Sequence, residues 1–311
     1  MNKLFGYVPD PKHTELYVSS LPFKRIPDRL IRQKTQRDVL LWLPKNTVQP
    51  NWRRGAQDIG DCVSWGAEIV CTCTLWNKAV RGEIQFEAEA ATESIYGFCR
   101  VELHGKPVMG LREDGAAGSW AAEAMVKFGV LLRKDYSIET GNPEHDLRKY
   151  SGQKAQQWGY YGNGGRSDGD KLDEIARNYP VQEVVPIYTP DEADAAIDAG
   201  MPITVASMVG FEGNRDNEGI IKAKGQWPHQ MAVLGKKFTP GGNRLWRFFN
   251  SWNGSVSGPD PGIDDKFVSE CSWWTDDASF ARCLRDRDTF AYGPIKGLDL
   301  PPYDFDTQLL V

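Results

Sequence analysis

Apolar residues recur at three- and four-residue steps through residues 64–81, with Trp65, Ile69, Cys73 and Trp76 along one stripe and Gly82 as a stop. Positions spaced this way share one face of a helix, so the stretch predicts a buried helix. Residues 86–103 predict a second helix, rich in Ala and carrying Tyr96, Phe98 and Cys99. Ser119 is placed to cap a third helix over 120–128, which Gly129 ends. A glycine-studded loop, 105–118, separates the second helix from the third. The pattern changes near Tyr150. Residues 151–169 have no periodicity and read as a boundary or an insertion; 170–179 predict a short helix. Thr189-Pro190-Asp191-Glu192 opens a further helix with an N-cap, a proline in the first turn and early acidic residues. Strands are predicted over 181–188, 202–207 and 229–235, with 245–249 pairing back across a turn at 239–243. Residues 273–277 and 280–292 read as a short helix and a strand.

Helices early and strands late predict an α+β protein with two segregated halves. The expected division is an extended N-terminal strap over 1–50, a helical half over 51–150, a β-rich half over 151–298 and a tail over 299–311. The strap reading rests on prolines at 9, 11, 22, 27 and 44, with the apolar run 37–44 anchoring it as a strand.

Composition narrows the class. The chain has 311 residues, 25% of them charged and 41% hydrophobic, as in ordinary globular proteins. Its net charge of −5 argues against a nucleic-acid partner. No apolar run is long enough to span a bilayer, so no membrane partner is expected. The opening Met1-Asn2-Lys3-Leu4-Phe5-Gly6-Tyr7 lacks a signal-peptide core. Synthesis in a host cytoplasm is the expectation, with incorporation into a particle leaving no such signal. The six cysteines form no C-x-x-C and are expected as reduced thiols. Only four histidines are present, and no cofactor or metal site is expected. His13, His104 and His145 fall in polar loops and are expected to be solvent-exposed, as are Glu113 and Asp114 at a loop tip.

The chemistry concentrates at Gln57-Asp58-Ile59-Gly60-Asp61-Cys62, a loop that delivers one cysteine to the first turn of the predicted central helix. Unpaired N–H groups and the helix dipole at that point favour thiolate. His229 starts a predicted strand and Asn250 ends its hairpin partner, so the two side chains can meet. An amide on one imidazole nitrogen leaves the other for a thiol. Gln57 offers a side-chain N–H for an oxyanion hole together with the Cys62 N–H.

The order Gln57, Cys62, His229, Asn250-Ser251-Trp252 resembles the papain-like cysteine peptidases over roughly residues 7–258. The resemblance implies Cys62 as nucleophile, His229 as acid/base, Asn250 as orienter and Gln57 as oxyanion donor. It implies a wall of the substrate cleft at Gly115 and a ring at Trp252 shielding the His–Asn bond. It also implies a helical half, carrying the nucleophile helix, packed against an antiparallel sheet or barrel. The chain departs from the pattern in three places: the step from Gln57 to Cys62 is five positions where six are usual, Val63 follows the cysteine, and Asn253 follows Trp252. The opening Gly6-Tyr7-Val8-Pro9-Asp10 is similar to the start of many microbial and viral members, and the His229-Gln230-Met231 strand, the ending beyond Gly258 and the lack of a secretion signal are together similar to bacteriophage-encoded, virion-associated members. The implied partner is a peptide or protein substrate, with other virion subunits as a further one. The alternatives are a non-cleaving structural virion protein and a hydrolase of peptidoglycan peptide or amide bonds.

Overall fold

The computed structural model describes residues 4–33, 35–105, 114–165, 170–252, 254 and 256–295. Glu113 of the glycine loop, Asn253 and the tail 299–311 lie outside the described residues. The N-terminal region wraps the body but is not extended. It carries helices α1 (Pro11–Ser20), α2 (Asp28–Arg32) and α3 (Lys45–Val48), with strand β1 (Val39–Leu40) between the last two. The expectation fails because proline was read as a helix breaker. At the first turn Pro11 lacks only an N–H with no intrahelical acceptor, and the Asp10 carboxylate caps the turn by accepting from the His13 N–H at 3.0 Å.

The centre of the fold is helix α4 (Cys62–Val80), buried along nearly its whole length. Its buried charged and hydroxyl side chains therefore need partners. Thr72 Oγ1 donates to Glu68 Oε1 at 2.8 Å, the Arg54 guanidinium pairs with Glu68, and Lys78 Nζ donates to the Ile295 carbonyl at 2.9 Å. A carboxylate so buried is tolerated only while its cation is present. Arg54→Met is expected to cost about 3–5 kcal/mol in chemical unfolding, and Glu68→Met in the same chain to recover most of that loss. Equal losses in the single and double variants would contradict the pairing.

Helix α5 (Thr92–Gly97) starts later than expected and passes into a π-turn at Phe98–Glu102. Helix α6 (Gly118–Lys127) is not capped by Ser119. The Thr14 hydroxyl donates to Ser119 Oγ at 2.9 Å, and it is Asp288, from the far end of the chain, that accepts the Gly118 N–H at 2.8 Å. A short α7 (Ser137–Thr140) precedes α8 (Gly152–Tyr161), which Ser151 caps by accepting from the Lys154 N–H at 3.2 Å. Residues 151–161 therefore form a helix packed on α5 and mark no boundary there. The signal is weak because only Ala155, Trp158, Gly159 and Tyr160 make its buried face beyond the first residue. Gly159 is required, since a Cβ there would lie 2.6 Å from the Tyr96 ring. Helix α9 (Asp170–Ala176) completes this half.

The second half is a seven-stranded sheet in which every pairing is antiparallel. Its strands are β1, β2 (Val184–Pro186), β3 (Ile203–Phe211), β4 (Ala223–Phe238), β5 (Arg244–Phe249), β6 (Ser272–Asp276) and β7 (Asp288–Tyr292). The order is β2-β7-β3-β4-β5-β6, with β1 also on β4. Helix α10 (Pro190–Asp198) has the capping box that Thr189 and Glu192 predict, and α11 (Lys266–Cys271) and α12 (Asp277–Cys283) flank β6. Strands β3 and β4 run longer than the alternation indicates, because their pairing continues past two register shifts. His229 is consequently mid-strand rather than at a strand start. The chain is thus α+β, with the cysteine-bearing helix α4 lying against β4 of the antiparallel sheet.

Four polar groups expected in solvent are held by the fold. His145 is 3% exposed, with its ring edge-on to Trp158 and Nε2 3.2 Å from the Gly164 carbonyl. His13 and His104 are half-buried beside Trp120. Asp114 accepts from the Gly60 N–H at 3.4 Å and faces the Tyr96 hydroxyl. In each case an aromatic ring nearby covers a residue that looks exposed in sequence. All six cysteines are free and buried.

Candidate active site

Helix α4 begins at Cys62, as the loop and apolar stripe predict, and strand β4 crosses its first turn. Gln230 ties the two together. Its side-chain amide donates to the Val63 carbonyl at 2.7 Å, and its backbone N–H is directed at the Cys62 sulfur. His229, the preceding residue, is fully buried. Its Nε2 lies 2.7 Å from Asn250 Oδ1, which also accepts from the Ser251 N–H at 2.7 Å. Because that atom takes a backbone N–H it is the oxygen of the amide, so the imidazole nitrogen facing it carries a proton. In the neutral ring Nδ1 is then the basic nitrogen. The pair depends on the sheet register: Ala232 opposes Phe249, which brings the end of β5 back to the level of His229. The Trp252 ring stacks on His229, with centroids 4.3 Å apart and planes 28° from parallel. An apolar ring over a hydrogen-bonded imidazole keeps water from competing for the bond.

Gln57 is fixed by its own oxygen, which accepts from the Ser251 hydroxyl at 2.5 Å. Its Nε2 therefore faces the cleft, donating to the carbonyls of Ile59 at 2.9 Å and Leu4 at 3.2 Å. Gly115 has φ +120°, which an L side chain rarely adopts, and it is clamped from behind. Arg100 Nη1 donates to the Gly115 carbonyl at 3.0 Å and to the Tyr96 hydroxyl at 2.8 Å, while that hydroxyl accepts the Gly115 N–H at 2.8 Å. The fold thus joins Gln57, His229, Asn250 and Trp252 through Ser251 and the Trp252 ring, ties the residue after His229 to the first turn of α4, and sets Gly115 against the same N-terminal segment that meets Gln57. The five-residue step from Gln57 to Cys62 does not take Gln57 out of this arrangement.

The cleft is covered by the N-terminal segment, residues 4–8. Gly6 and Tyr7 donate their N–H groups to the Pro228 carbonyl at 3.2 and 3.0 Å. Val8 donates to the Ala116 carbonyl and Ala116 to that of Gly6, so Tyr7 forms a parallel bridge with Ala116. The Leu4 carbonyl accepts from Trp252 Nε1 at 3.0 Å as well as from Gln57, and Phe5 stands edge-on to Trp252. A Cβ on Gly6 would lie 1.8 Å from the Gly60 carbonyl oxygen, and one on Gly115 would lie 2.7 Å from the Val8 side chain. These glycines are what let the segment sit this close. The Gly6 backbone also acts on the Cys62 sulfur by hydrogen bonding, and the thiol is fully buried.

Electrostatics follow from that cover. Burial pushes the Cys62 thiol up to about 12; backbone hydrogen bonds from Gln230, Gly6 and Val63 act against this, and the Asp61 carboxylate adds to it. The thiolate expected from the helix start is thus outweighed by desolvation while the segment is in place. Asp61, the residue before the cysteine, is itself raised well above the carboxylate range by burial, although Tyr150 donates to it at 2.9 Å. Among the described residues no group of three or more His, Cys, Asp or Glu is placed to hold a metal ion, and no helix is long and apolar enough to cross a membrane.

Sequence reasoning missed the cover, Gln230 and Asp288. The near-contact of Gly6 with Gly60 has no signal in a linear sequence, because the two are 54 positions apart and only the fold joins them. Asp288 was visible as the one charge opening an apolar strand.

A buried helix that begins at a cysteine and lies against an antiparallel sheet carrying a hydrogen-bonded His–Asn pair is the arrangement of the papain-like fold. No family model and no curated protein matches the sequence. Among solved structures the chain is similar to xylellain, a cysteine protease from Xylella fastidiosa, at a TM-score of 0.60 and 15% identity, over 95% of this chain and 99% of that one. It is similar to proCathepsin B S9 from Trypanosoma congolense, at a TM-score of 0.56 and 11% identity, over 94% and 87% of the two chains. The ragweed pollen cysteine protease Amb a 11, in its proform, aligns at a TM-score of 0.50 and 15% identity over 97% and 84%.

Proposed function

We propose that the chain is a thiol hydrolase that cleaves peptide bonds, with Cys62 as nucleophile, His229 as acid/base, Asn250 as orienter and Gln57 as oxyanion donor. The observation that carries this is the His229–Asn250 hydrogen bond, whose polarity makes Nδ1 the basic nitrogen. In this reading Nδ1 takes the thiol proton as sulfur attacks the substrate carbonyl carbon. The oxyanion is held by Gln57 Nε2 and the Cys62 N–H. The imidazolium then protonates the leaving amine, and a thioester remains on Cys62. Water, giving a proton to His229, attacks the thioester; the acid leaves and the thiol is restored. Trp252 keeps water off the His–Asn bond, and Gly115 leaves room for substrate backbone along the wall.

The test is hydrolysis of an unfolded protein by the purified chain, with a thiol-directed epoxide present or absent. One equivalent of epoxide is expected to stop cleavage, and peptide mapping to place the adduct on Cys62 alone. Cleavage that survives full modification of Cys62 refutes the proposal. Two narrower readings share this site: a bacteriophage-encoded virion subunit that keeps the fold and cleaves nothing, and a peptidoglycan hydrolase. Absence of cleavage with Cys62 uncovered favours the first of these, and lysis of cell walls in a gel favours the second.

A further inference from the structure

A buried arginine lies between helix α4 and Asn250, at the end of β5, and the catalytic reading leaves it unused. Arg54 comes three residues before Gln57 and is 4% exposed. Two of its nitrogens are taken by α4: Nη2 donates to the Trp65 carbonyl at 2.6 Å, and Nη1 pairs with Glu68. The guanidinium also lies over the Trp65 ring, 4.9 Å from its centre. Gly55 makes room for that ring, since a Cβ there would lie 2.4 Å from it. The fork is therefore fixed in its plane, and its third nitrogen, Nε, reaches the Asn250 carbonyl at 3.4 Å. That carbonyl belongs to the same peptide unit as the Ser251 N–H, and the unit is planar and rigid. Its N–H end donates to Asn250 Oδ1 at 2.7 Å, the oxygen that faces His229 Nε2 at 2.7 Å. On the other side of the residue, the Asn250 N–H donates to the Cys271 carbonyl at 2.8 Å. Holding the carbonyl holds the peptide plane, and holding the plane aims Oδ1 at the imidazole.

We propose that Arg54 is a positioning residue for the reaction: anchored on α4, it orients the His229 ring through the Asn250–Ser251 peptide. The inference rests on the thiol-hydrolase reading of Cys62. Pairing with Glu68 asks only for a cation, which a lysine supplies. The link to Asn250 needs a rigid fork that reaches the helix and the end of β5 at once. One side chain thus serves stability through Nη1 and ring orientation through Nε, and substitutions can separate the two.

The test measures kcat and KM for peptide hydrolysis by the full chain, together with its melting. Arg54→Lys keeps a cation for Glu68 and is expected to lower kcat about tenfold, with KM within about twofold of wild type. Arg54→Met combined with Glu68→Met removes the charge pair whole. Its stability is expected to return toward that of wild type while kcat stays about tenfold down, which covers the case in which the lysine variant fails to fold. In the Asn250→Ala chain, which lacks Oδ1, Arg54→Lys is expected to change kcat by less than about twofold, because residues that act in series do not add. Wild-type kcat in Arg54→Lys, or recovery of kcat along with stability in the double variant, would overturn the proposal. So would a further loss of about tenfold when Arg54→Lys is added to Asn250→Ala. A wild-type chain that melts cooperatively, cleaves nothing and leaves Cys62 unlabelled by the epoxide would instead overturn the thiol-hydrolase reading and this inference with it.

Discussion

Cys62→Ala is expected to lower peptide hydrolysis by about 10⁴-fold or more and to eliminate epoxide labelling, while the chain melts within a few degrees of wild type. The two readouts separate chemistry from folding. A buried thiol replaced by a methyl group removes one sulfur from a packed site, a small cavity that costs about 1 kcal/mol. The reaction loses its nucleophile entirely. His229→Ala is expected to cost nearly as much, and the double variant no more than either single one, because residues that act as one unit do not add. Epoxide labelling that persists in Cys62→Ala and maps to another cysteine would remove Cys62 from its role. Asn250→Ala should cost less than His229→Ala, since it releases the ring's orientation and leaves the base itself.

The helices, the sheet and the candidate constellation were legible to different degrees, for reasons that lie in particular residues. Helix α4 was readable because its apolar stripe is long and its loop ends in glycine and aspartate. Asn250 was readable because Asn-Ser-Trp follows a strand that turns back on His229. What could not be read is long-range and polar. Ser119 is well placed to cap α6, yet the cap is Asp288, 170 positions away, so local propensity named the wrong residue. The N-terminal prolines suggested a strap with no helix because their position relative to Asp10 mattered more than their number. Backbone N–H groups do favour the Cys62 thiolate, but burial is the larger effect.

That balance sets the last expected result. Gly6→Ala places a Cβ 1.8 Å from the Gly60 carbonyl oxygen, a distance that no rotamer can relieve because both atoms are held by backbone. The segment, not the body, has to move. Each of its hydrogen bonds contributes about 1 kcal/mol net, and ordering each of its residues costs about as much, so the seat has little reserve against such a clash. Displacement returns water to the sulfur and removes the desolvation that holds the thiol near 12. In wild type, labelling of Cys62 by a small alkylating reagent should be slow at neutral pH and rise about tenfold per pH unit, following the thiolate fraction below that value. In Gly6→Ala the rate at pH 7 should be about 10²-fold higher and should level off at a much lower pH, where the dipole of α4 and the His229 ring now govern ionisation. Hydrolysis of added peptide should rise with it, by a similar factor, without loss of thermal stability. A Gly6→Ala chain with the same labelling rate and the same pH slope as wild type would mean that residues 4–8 do not limit access to Cys62.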